Sequence, residues 1–536
     1  MNYSRAIRIL AALMLFIGVT NCAKRGNPTG GPKDETPPEI ISARPENGST
    51  NFQGDEFRIN FDEFIKLQDL QKNLVVSPPL AYQPIIYPQS GAGKYLNVEI
   101  IDTLKENTTY VFNFGQAIVD NNEGNPYPFF TYVFSTGDYI DSLTLEGFVS
   151  DVQLKQPDPY ISVMLWEMDS TYTDSVIYKN PPKYITNTLD SSVTFRLTNL
   201  KAGRYKMIAL LDEANNYVFD PKTDKIGFVE EPITLPNDTL YEIELFMEET
   251  EFKALRPSLL KKNKIAFGYE GDPEKMAVNI LSEVPDDFRS KTIKSIKSDS
   301  LYYFFTPFET DSLVFEVSRE VPVDTFTVRI RDLYPDSLNI SQYEQQKFGV
   351  NNPFQLHASI PVIKVEDSLI GLIDQDSTQL EFTYTLDSLK NLLIFNWNKE
   401  PSRKYNISLN PGAITDFFGN TNDSLSYLVS TKSLADLGSI TVNIGNADQF
   451  PLILQLTDDK GEVKYEATIR EENPSHSFRN ISPGNYLIRV IHDTNGNGKW
   501  DTGSFLENRQ PEKISYMAQP VELRPNWEID QTFTLE

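Results

Sequence analysis

TYVFNFGQAIVDNNEGNPYPFFTYVFSTGD, residues Thr109 to Asp138, and KYNISLNPGAITDFFGNTNDSLSYLVSTKS, residues Lys404 to Ser433, are one pattern written twice. Tyr110 answers to Tyr405, the stretch Ala117 to Asp120 to Ala413 to Asp416, and Ser135-Thr136 to Ser430-Thr431. In both copies short runs of alternating apolar and polar residues are bounded by Asn, Asp, Gly and Pro, the signature of half-buried strands joined by turns. A second pair follows. LTNLKAGRYKMIALLDEANNYVFD (Leu197 to Asp220) answers to FRNISPGNYLIRVIHDTNGNGKWD (Phe478 to Asp501), aligning Gly203-x-Tyr205 with Gly484-x-Tyr486 and Asp212 with Asp493. The order is module X, module Y, an intervening segment, then X and Y again, which predicts an all-β chain of tandem β-sandwich modules.

The same alternation runs outward from the repeats. Phe57, Ile59 and Phe61 in FRINF, Phe326, Val328 and Ile330 in FTVRI, and Ile440, Val442 and Ile444 in ITVNI each read as one buried face of a strand. Helical period is confined to short pieces such as Gln68 to Asn73 and Ser341 to Lys347. The 536 residues are several times a usual domain of about 100–200. The predicted organisation is a signal peptide at 1–21, Cys22 with a flexible tether at 22–36, and the first X module at 37–138. A β-sandwich (the first Y module) at 139–249, an unassigned β segment at 250–351, the second X module at 352–433 and a second β-sandwich (the second Y module) at 434–536 follow.

Charge and composition narrow the function. Lys+Arg 49 against Asp+Glu 75 gives 49 − 75 = −26, a balance that repels nucleic acid and anionic lipid. One Cys and three His (His357, His476, His492) leave no basis for structural disulfides, a Cys-ligated zinc site or an internal Cys–His dyad. The sequence has no GxSxG, P-loop, GxGxxG or HExxH string, so an enzyme is not expected. A hydrolase working with two carboxylates is the least favoured of the functions considered.

Arg5 and Arg8 precede the apolar run Ile9 to Thr20, too short to span a bilayer and proportioned as a secretory signal. Cys22 follows immediately in VTNC. This resembles a lipobox, with Asn21 departing from the usual small Gly or Ala, and it implies an acylated Cys22 anchoring the chain to the outer membrane. Without Arg5 and Arg8 the charge becomes 47 − 75 = −28. The tether AKRGNPTGGPKDETPPE has no hydrophobic period and would lift the folded part off the lipid. Lys33-Asp34-Glu35 looks like a short acidic export signal, implying exposure at the cell surface, although it lies farther from the Cys than such signals do.

The X module resembles the SbsA-type bacterial Ig-like domain. The resemblance rests on the opening TPPEIISARPENGSTNFQGDEFRINFDEFI (Thr36 to Ile65), the turn at Asp416 to Asn420 and the closing FST at Phe134 to Thr136. The Y module, a strand, then LxxLxxGxY, then an apolar strand ending in Asp, looks like the prealbumin-like sandwiches of carboxypeptidase-regulatory and Cna-B type. With the Cys22 motif and tether, the chain resembles Ig-like-domain lipoproteins of the Bacteroidota. That resemblance implies an extracellular scaffold or protein-interaction subunit, with an outer-membrane β-barrel assembly or secretion complex as the kind of partner. A glycan-binding or nutrient-capture lipoprotein is the alternative.

Two local patterns carry chemistry. In DTNGNGKWD, Asp493, Asn495, Asn497 and Asp501 stand at positions 1, 3, 5 and 9, Gly498 at 6, and Lys499 offers its carbonyl at 7, the spacing that turns oxygen ligands toward one structural Ca²⁺. Position 12 is Ser504 rather than an acid, and Glu507 is the acid nearby; an Asn/Gly turn capped by its own carboxylates meets the same spacing without an ion. In the first copy, DEANNYVFD, only Asp212, Asn216 and Asp220 remain to hold one. Asp-Ser-Leu recurs at Ser142, Ser300, Ser312, Ser337, Ser368, Ser388 and Ser424, with Asp-Thr-Leu at Thr103 and Thr239 and Asp-Ser-Val at Ser175. These resemble Asp-Ser/Thr-aliphatic O-glycosylation acceptors of the same bacterial group; turns that end on Asp-Ser and begin a strand on Leu also produce them. The aromatic strings Tyr302 to Phe305 and Tyr127 with Phe129-Phe130 are expected to be core, and the acid pairs Asp62-Glu63 and Glu248-Glu249 to be solvated.

Overall fold

The computed structural model describes residues 34–188, 193–319, 323–343 and 350–535. Cys22, the signal segment and the tether up to Lys33 lie outside the described residues. The chain divides into two compact units, Met1–Ser142 and Leu143–Glu536.

The first unit is a two-sheet sandwich. One sheet runs Ile40–Arg44, Glu56–Leu67, Gly93–Glu99, Ile85–Tyr87, with Ile118–Asp120 also paired to Glu56–Leu67; the other runs Val75–Ser77, Thr109–Asn113, Thr131–Ser135. Phe57, Ile59 and Phe61 point inward from one strand, as their alternation requires, and meet Phe112, Tyr132 and Phe134 from the facing sheet. Phe57 stacks on Tyr132 with ring centroids 4.0 Å apart. Burying each such ring stabilises the fold by about 1.5–3 kcal/mol.

The second unit holds four sandwiches. Its first, from Leu143 to Leu245, pairs the sheet Tyr184–Asn187, Ser162–Glu167, Gly203–Leu211, Lys225–Phe228, with Ile233–Leu235 also on Gly203–Leu211, against the sheet Thr194–Leu200, Leu143–Asp151, Leu240–Leu245. Its last, from Gly438 to Thr534, repeats that plan strand for strand: Val463–Ile469, Leu452–Thr457, Gly484–His492, Ile514–Tyr516, with Val521–Leu523, against Ser475–Ile481, Gly438–Gly445, Glu528–Thr534. In both, the final strand joins the first in parallel, an uncommon pairing for two strands of one small sandwich and a firm mark of duplication. The aligned tyrosines do one job: Tyr205 donates its hydroxyl to the Lys201 carbonyl at 3.1 Å and Tyr486 to that of Ser482 at 2.5 Å.

The segment left unassigned by sequence is a further sandwich. The sheet Lys253–Ala254, Lys264–Glu270, Ser300–Phe305, Ser290–Lys294 faces Ala277–Ile280, Ser312–Ser318, Val323–Arg329 across a core of Phe267, Tyr303, Phe305 and Phe315. Tyr302 to Phe305 is therefore core, Tyr302 alone being half-buried.

The second Ig-like module begins earlier than position 352. Ile340–Gln342, placed by sequence in the preceding segment, pairs with Phe354–Ala358 as the outer strand of its sheet, and Ile340 is buried in its core. Ser341 and Gln342 are thus strand and not helical turn, because the sheet edge supplies hydrogen bonds that an isolated turn there lacks. The two Ig-like modules keep the same internal devices. The Tyr110 hydroxyl accepts the Lys105 N–H and that of Tyr405 accepts the Glu400 N–H, at 2.8 and 2.6 Å. The Thr136 and Thr431 hydroxyls bridge equivalent loops, donating to the Lys105 and Glu400 carbonyls at 2.7 and 2.6 Å. Asp120 and Asp416, 1% and 0% exposed, close the following turn, taking N–H groups from Glu123, Gly124 and Asn125 in one copy and Phe418 and Asn420 in the other. The repeated motif residues are turn-builders.

Candidate functional site

In the first and last sandwiches of the second unit the long strand after Gly-x-Tyr is followed directly by an acid, Asp212 or Asp493, and the chain turns outward in a loop. The loops are largely exposed, and the acid at the base of each accepts N–H groups that the turn leaves without strand partners. Asp493, 3% exposed, accepts Asn497 N–H at 3.0 Å on one oxygen and Gly498 N–H at 2.9 Å on the other. Gly496 and Gly498 sit at φ of 73° and 76°, which side chains resist, and so let the chain fold back. The Asn495 and Asn497 amides converge on Asp501 Oδ2 at 2.5 and 2.8 Å. The spacing-selected residues Asp493, Asn495, Asn497 and Asp501 therefore come together in one loop, with Lys499 in the same turn through its N–H on Asn497 Oδ1.

The acid that closes this loop is Glu512, missed by motif reading. Its Oε1 accepts the N–H and hydroxyl of Thr494, both at 2.7 Å, and its Oε2 accepts Asp501 N–H at 3.1 Å. Glu507, the acid singled out by proximity in sequence, pairs instead with Arg509 at 3.1 Å on the surface. In the first copy Asp224 does what Glu512 does: fully buried, it accepts Glu213 N–H at 3.2 Å and Asp220 N–H at 2.9 Å, again the second and ninth loop positions. The clamping acid lies twelve residues after Asp212 but nineteen after Asp493, so no fixed spacing marks it. In the first loop Asp212 Oδ2 takes Tyr217 N–H at 2.6 Å, while Asn216 and Asp220 cap Val218 and Lys222 N–H groups.

An ion in the Asp493 loop would have to replace these N–H donors. Turning the Asn495 amide would present its oxygen alongside the Asp501 carboxylate, so the donor set suits a hard cation such as calcium. Among the described residues no group of three or more His, Cys, Asp or Glu is arranged to hold a metal, so such an ion would depend on amide and carbonyl oxygens.

Beyond Asp501 the chain runs into a tight hairpin bridged at Ser504 and Arg509, and this hairpin docks on the first sandwich of the second unit. Phe505, 2% exposed, packs edge-on against Phe228 at 5.4 Å. Thr502 Oγ1 donates to the Met247 carbonyl at 2.6 Å, Gln510 Nε2 to the Phe228 carbonyl at 3.0 Å, and Glu248 accepts the Phe505 N–H. Glu248 is accordingly an interface residue rather than the solvated acid expected from its charge run. Gly503 sits where an added Cβ would lie 2.6 Å from the Phe246 ring, so only glycine permits this approach. Lys206, 6% exposed, donates to the Glu230 carbonyl at 2.9 Å and to Asn508 Oδ1 at 3.2 Å; burial depresses its pKa, opposed by Asp174, Glu230 and Glu231.

A second junction lies on the same pair of modules. Arg489, 6% exposed, reaches from its strand to Gln455 Oε1 at 2.7 Å and to the Gln153 carbonyl of the other module at 2.8 Å, while Tyr516 donates to the Val152 carbonyl at 3.2 Å. Lys155 closes it by donating to the Met517 and Ala518 carbonyls. Glu244 lies nearby, its pKa pushed up to about 7 by burial and by the charges of Glu242 and Asp151, with Lys513 opposing. Smaller contacts join the other sandwiches of the unit: Ile293 and Phe304 pack on Ile360 and Phe417, Asn351 donates to the Arg479 carbonyl at 3.2 Å, and Lys222 and Lys499 pair with Glu270 and Glu274 at 2.8 and 3.4 Å.

The acceptor-type serines and threonines are dispersed. Thr103, Ser142, Ser175, Thr239, Ser312, Ser337, Ser368, Ser388 and Ser424 are exposed, and Ser300 is half-buried. His492 ends its strand with Nε2 3.0 Å from Ser515 Oγ, and burial lowers its pKa as it does those of His357 and His476.

No curated protein matches. Among solved structures, the major pilin subunit BcpA of Bacillus cereus is similar at 12% identity, covering 74% of this chain and 99% of that one, with a TM-score of 0.14. Domains 1-6 of the surface layer protein SbsC are similar at 12% identity over 91% and 68%, and the Bacillus anthracis TIE protein at 8% over 95% and 76%, each with a TM-score of 0.14. Residues 433–529 match a family described as an uncharacterized protein conserved in bacteria, and residues 34–136 match the bacterial Ig-like domain family.

Proposed function

We propose that this chain is a non-enzymatic surface lipoprotein: acylated at Cys22, held off the outer membrane by its tether, and serving as a modular scaffold that binds a protein partner. The observation that carries the reading is the docking of one prealbumin-like module on the other through Phe505, Arg489 and Lys206, three nearly buried side chains that belong to no catalytic arrangement. Sandwich modules joined only by linkers would swing freely; these are locked, which suits a part that must hold a fixed surface toward a partner. The Ig-like match at 34–136 supports an extracellular setting. An outer-membrane β-barrel assembly is the partner class proposed, calcium the structural ion of the Asp493 loop, and the exposed Asp-Ser/Thr sites the places of O-glycosylation.

The test is extraction of tagged protein from native membranes in mild detergent, followed by mass spectrometry of what co-purifies. A barrel protein in near-equal amount is expected, and Cys22→Ala should move the chain out of the membrane fraction. A solitary lipoprotein would overturn the scaffold reading, and continued membrane association of Cys22→Ala would overturn the lipid anchor.

A further inference from the structure

The outer face of the larger sheet in the first unit carries an ordered polar and aromatic surface. Glu56, Arg58 and Asn60 alternate outward along one strand, opposite Glu99, Asn97 and Tyr95 on the next; Tyr87 lies opposite Asn97, and Arg44 opposite Arg58. Tyr87 and Tyr95 are 40% and 37% exposed, and as diagonal neighbours they stand about 7–8 Å apart. Their surroundings are fixed in advance. The Arg58 guanidinium lies 3.7 Å over the Tyr95 ring and its Nε donates to Asn60 Oδ1 at 3.3 Å; Asn60 donates to Ser42 Oγ at 3.1 Å, and Asn97 to Glu56 Oε2 at 3.2 Å.

Two features of this face work against folding. Arg44 faces Arg58, and Glu56 faces Glu99, and like charges directly across a strand pair are unfavourable. Together they place paired donors and paired acceptors side by side, beside the partly exposed Tyr87 ring and a Tyr95 ring that Arg58 covers on one face. Hydroxyl groups of a sugar both donate and accept, and the apolar face of a pyranose packs on an aromatic ring. The four charges cancel, 2 − 2 = 0, in a chain whose net charge is −26, so the patch is matched to an uncharged ligand while the rest of the molecule repels a polyanion. A face this polar offers no continuous apolar area for a protein helix.

We infer that the face formed by Tyr87, Tyr95, Arg58, Asn60 and Asn97 binds a neutral polysaccharide, with one sugar stacked on Tyr87, its neighbour packed against the Tyr95–Arg58 pair, and both hydrogen-bonded to the polar row. This is independent of the scaffold reading. The test is affinity electrophoresis of the mature chain in gels containing dextran, xylan or a β-1,3-glucan, with alginate as an anionic polymer. Retardation by at least one neutral polysaccharide is expected, none by alginate, and Tyr87→Ala or Tyr95→Ala should raise the apparent Kd about tenfold or more, equivalent to about 1.4 kcal/mol. Tyr95→Phe, which keeps the ring, should retain binding, and an unchanged melting temperature of Tyr95→Ala shows that its loss of binding is not misfolding. The inference is overturned if none of the three neutral polysaccharides retards the chain, if alginate alone does, or if both alanine variants bind as the wild type.

Discussion

Replacing Phe505 with Ala removes the aromatic anchor between the first and last sandwiches of the second unit. A buried Phe→Ala change costs about 3–5 kcal/mol, of which the edge-to-face contact with Phe228 supplies about 0.5–1.5. The Thr502–Met247 and Gln510–Phe228 hydrogen bonds stay in place on either side, so the loss should fall at the low end, about 3 kcal/mol. At about 1.4 kcal/mol per decade, the opening equilibrium of the docked hairpin should rise by about two orders of magnitude. Hydrogen exchange on the full chain reads this directly, because local opening sets amide protection. The amides of Phe505, which bonds Glu248, and of Arg509, which bonds the Ser504 carbonyl, should exchange about a hundredfold faster, while residues 34–142 stay unchanged. Equal protection of Phe505 and Arg509 in wild type and variant would refute the claim that this ring holds the modules together.

Three further outcomes are expected. Burial alone would raise the Asp120 pKa, but the N–H groups of Asn125, Glu123 and Gly124 outweigh it and hold the carboxyl below 3.8; its stabilisation is complete above that value and lost as pH falls through the folded pKa. Asp120→Asn should therefore lower the melting temperature of the first unit near neutral pH and flatten its decline in acid, and an unchanged acid profile would contradict this. Glu244, raised from 4.5 to about 7, has the opposite sign: the folded state favours its protonated form, and stability falls as pH rises from about 4.5 to about 7. Glu244→Gln should stabilise the chain at about pH 8 and leave it unchanged at about pH 4; a gain equal at both would show that charge is not the cause. For the loop at Asp493, EDTA should lower the melting temperature of the wild type and not of an Asp493→Ala, Asp501→Ala double variant, and superimposable wild-type curves would refute the calcium proposal.

How much of this was legible in the sequence depends on whether the signal was local. Alternation placed Phe57, Ile59, Phe61, Ile440, Val442 and Ile444 correctly because a strand sends every second side chain to one face, and all six are buried. The repeat likewise located Tyr110, Tyr405, Thr136, Thr431, Asp120 and Asp416, whose paired roles follow from matching loops. The docking was not legible. Arg489 is one polar residue in an apolar strand and Phe505 one aromatic in a loop, and each acquires its meaning from a partner more than 250 residues away in the chain. Glu512 and Asp224 escaped for the reason that a clamp is defined by the N–H groups it receives, and intervening loops of different length hide it from any spacing rule. The start of the second Ig-like module was misplaced because Ile340–Gln342 is a three-residue edge strand, too short for a period to show.

The central claim is that residues 143–536 form one locked body rather than four beads on a string. Differential scanning calorimetry of the mature chain tests it most directly, by comparing calorimetric and van't Hoff enthalpies for each transition. One cooperative transition encompassing 143–536, which splits when Phe505 and Arg489 are both replaced by alanine, is the predicted result. Separate transitions for the individual sandwiches in the wild type, unaltered by those two substitutions, would contradict it.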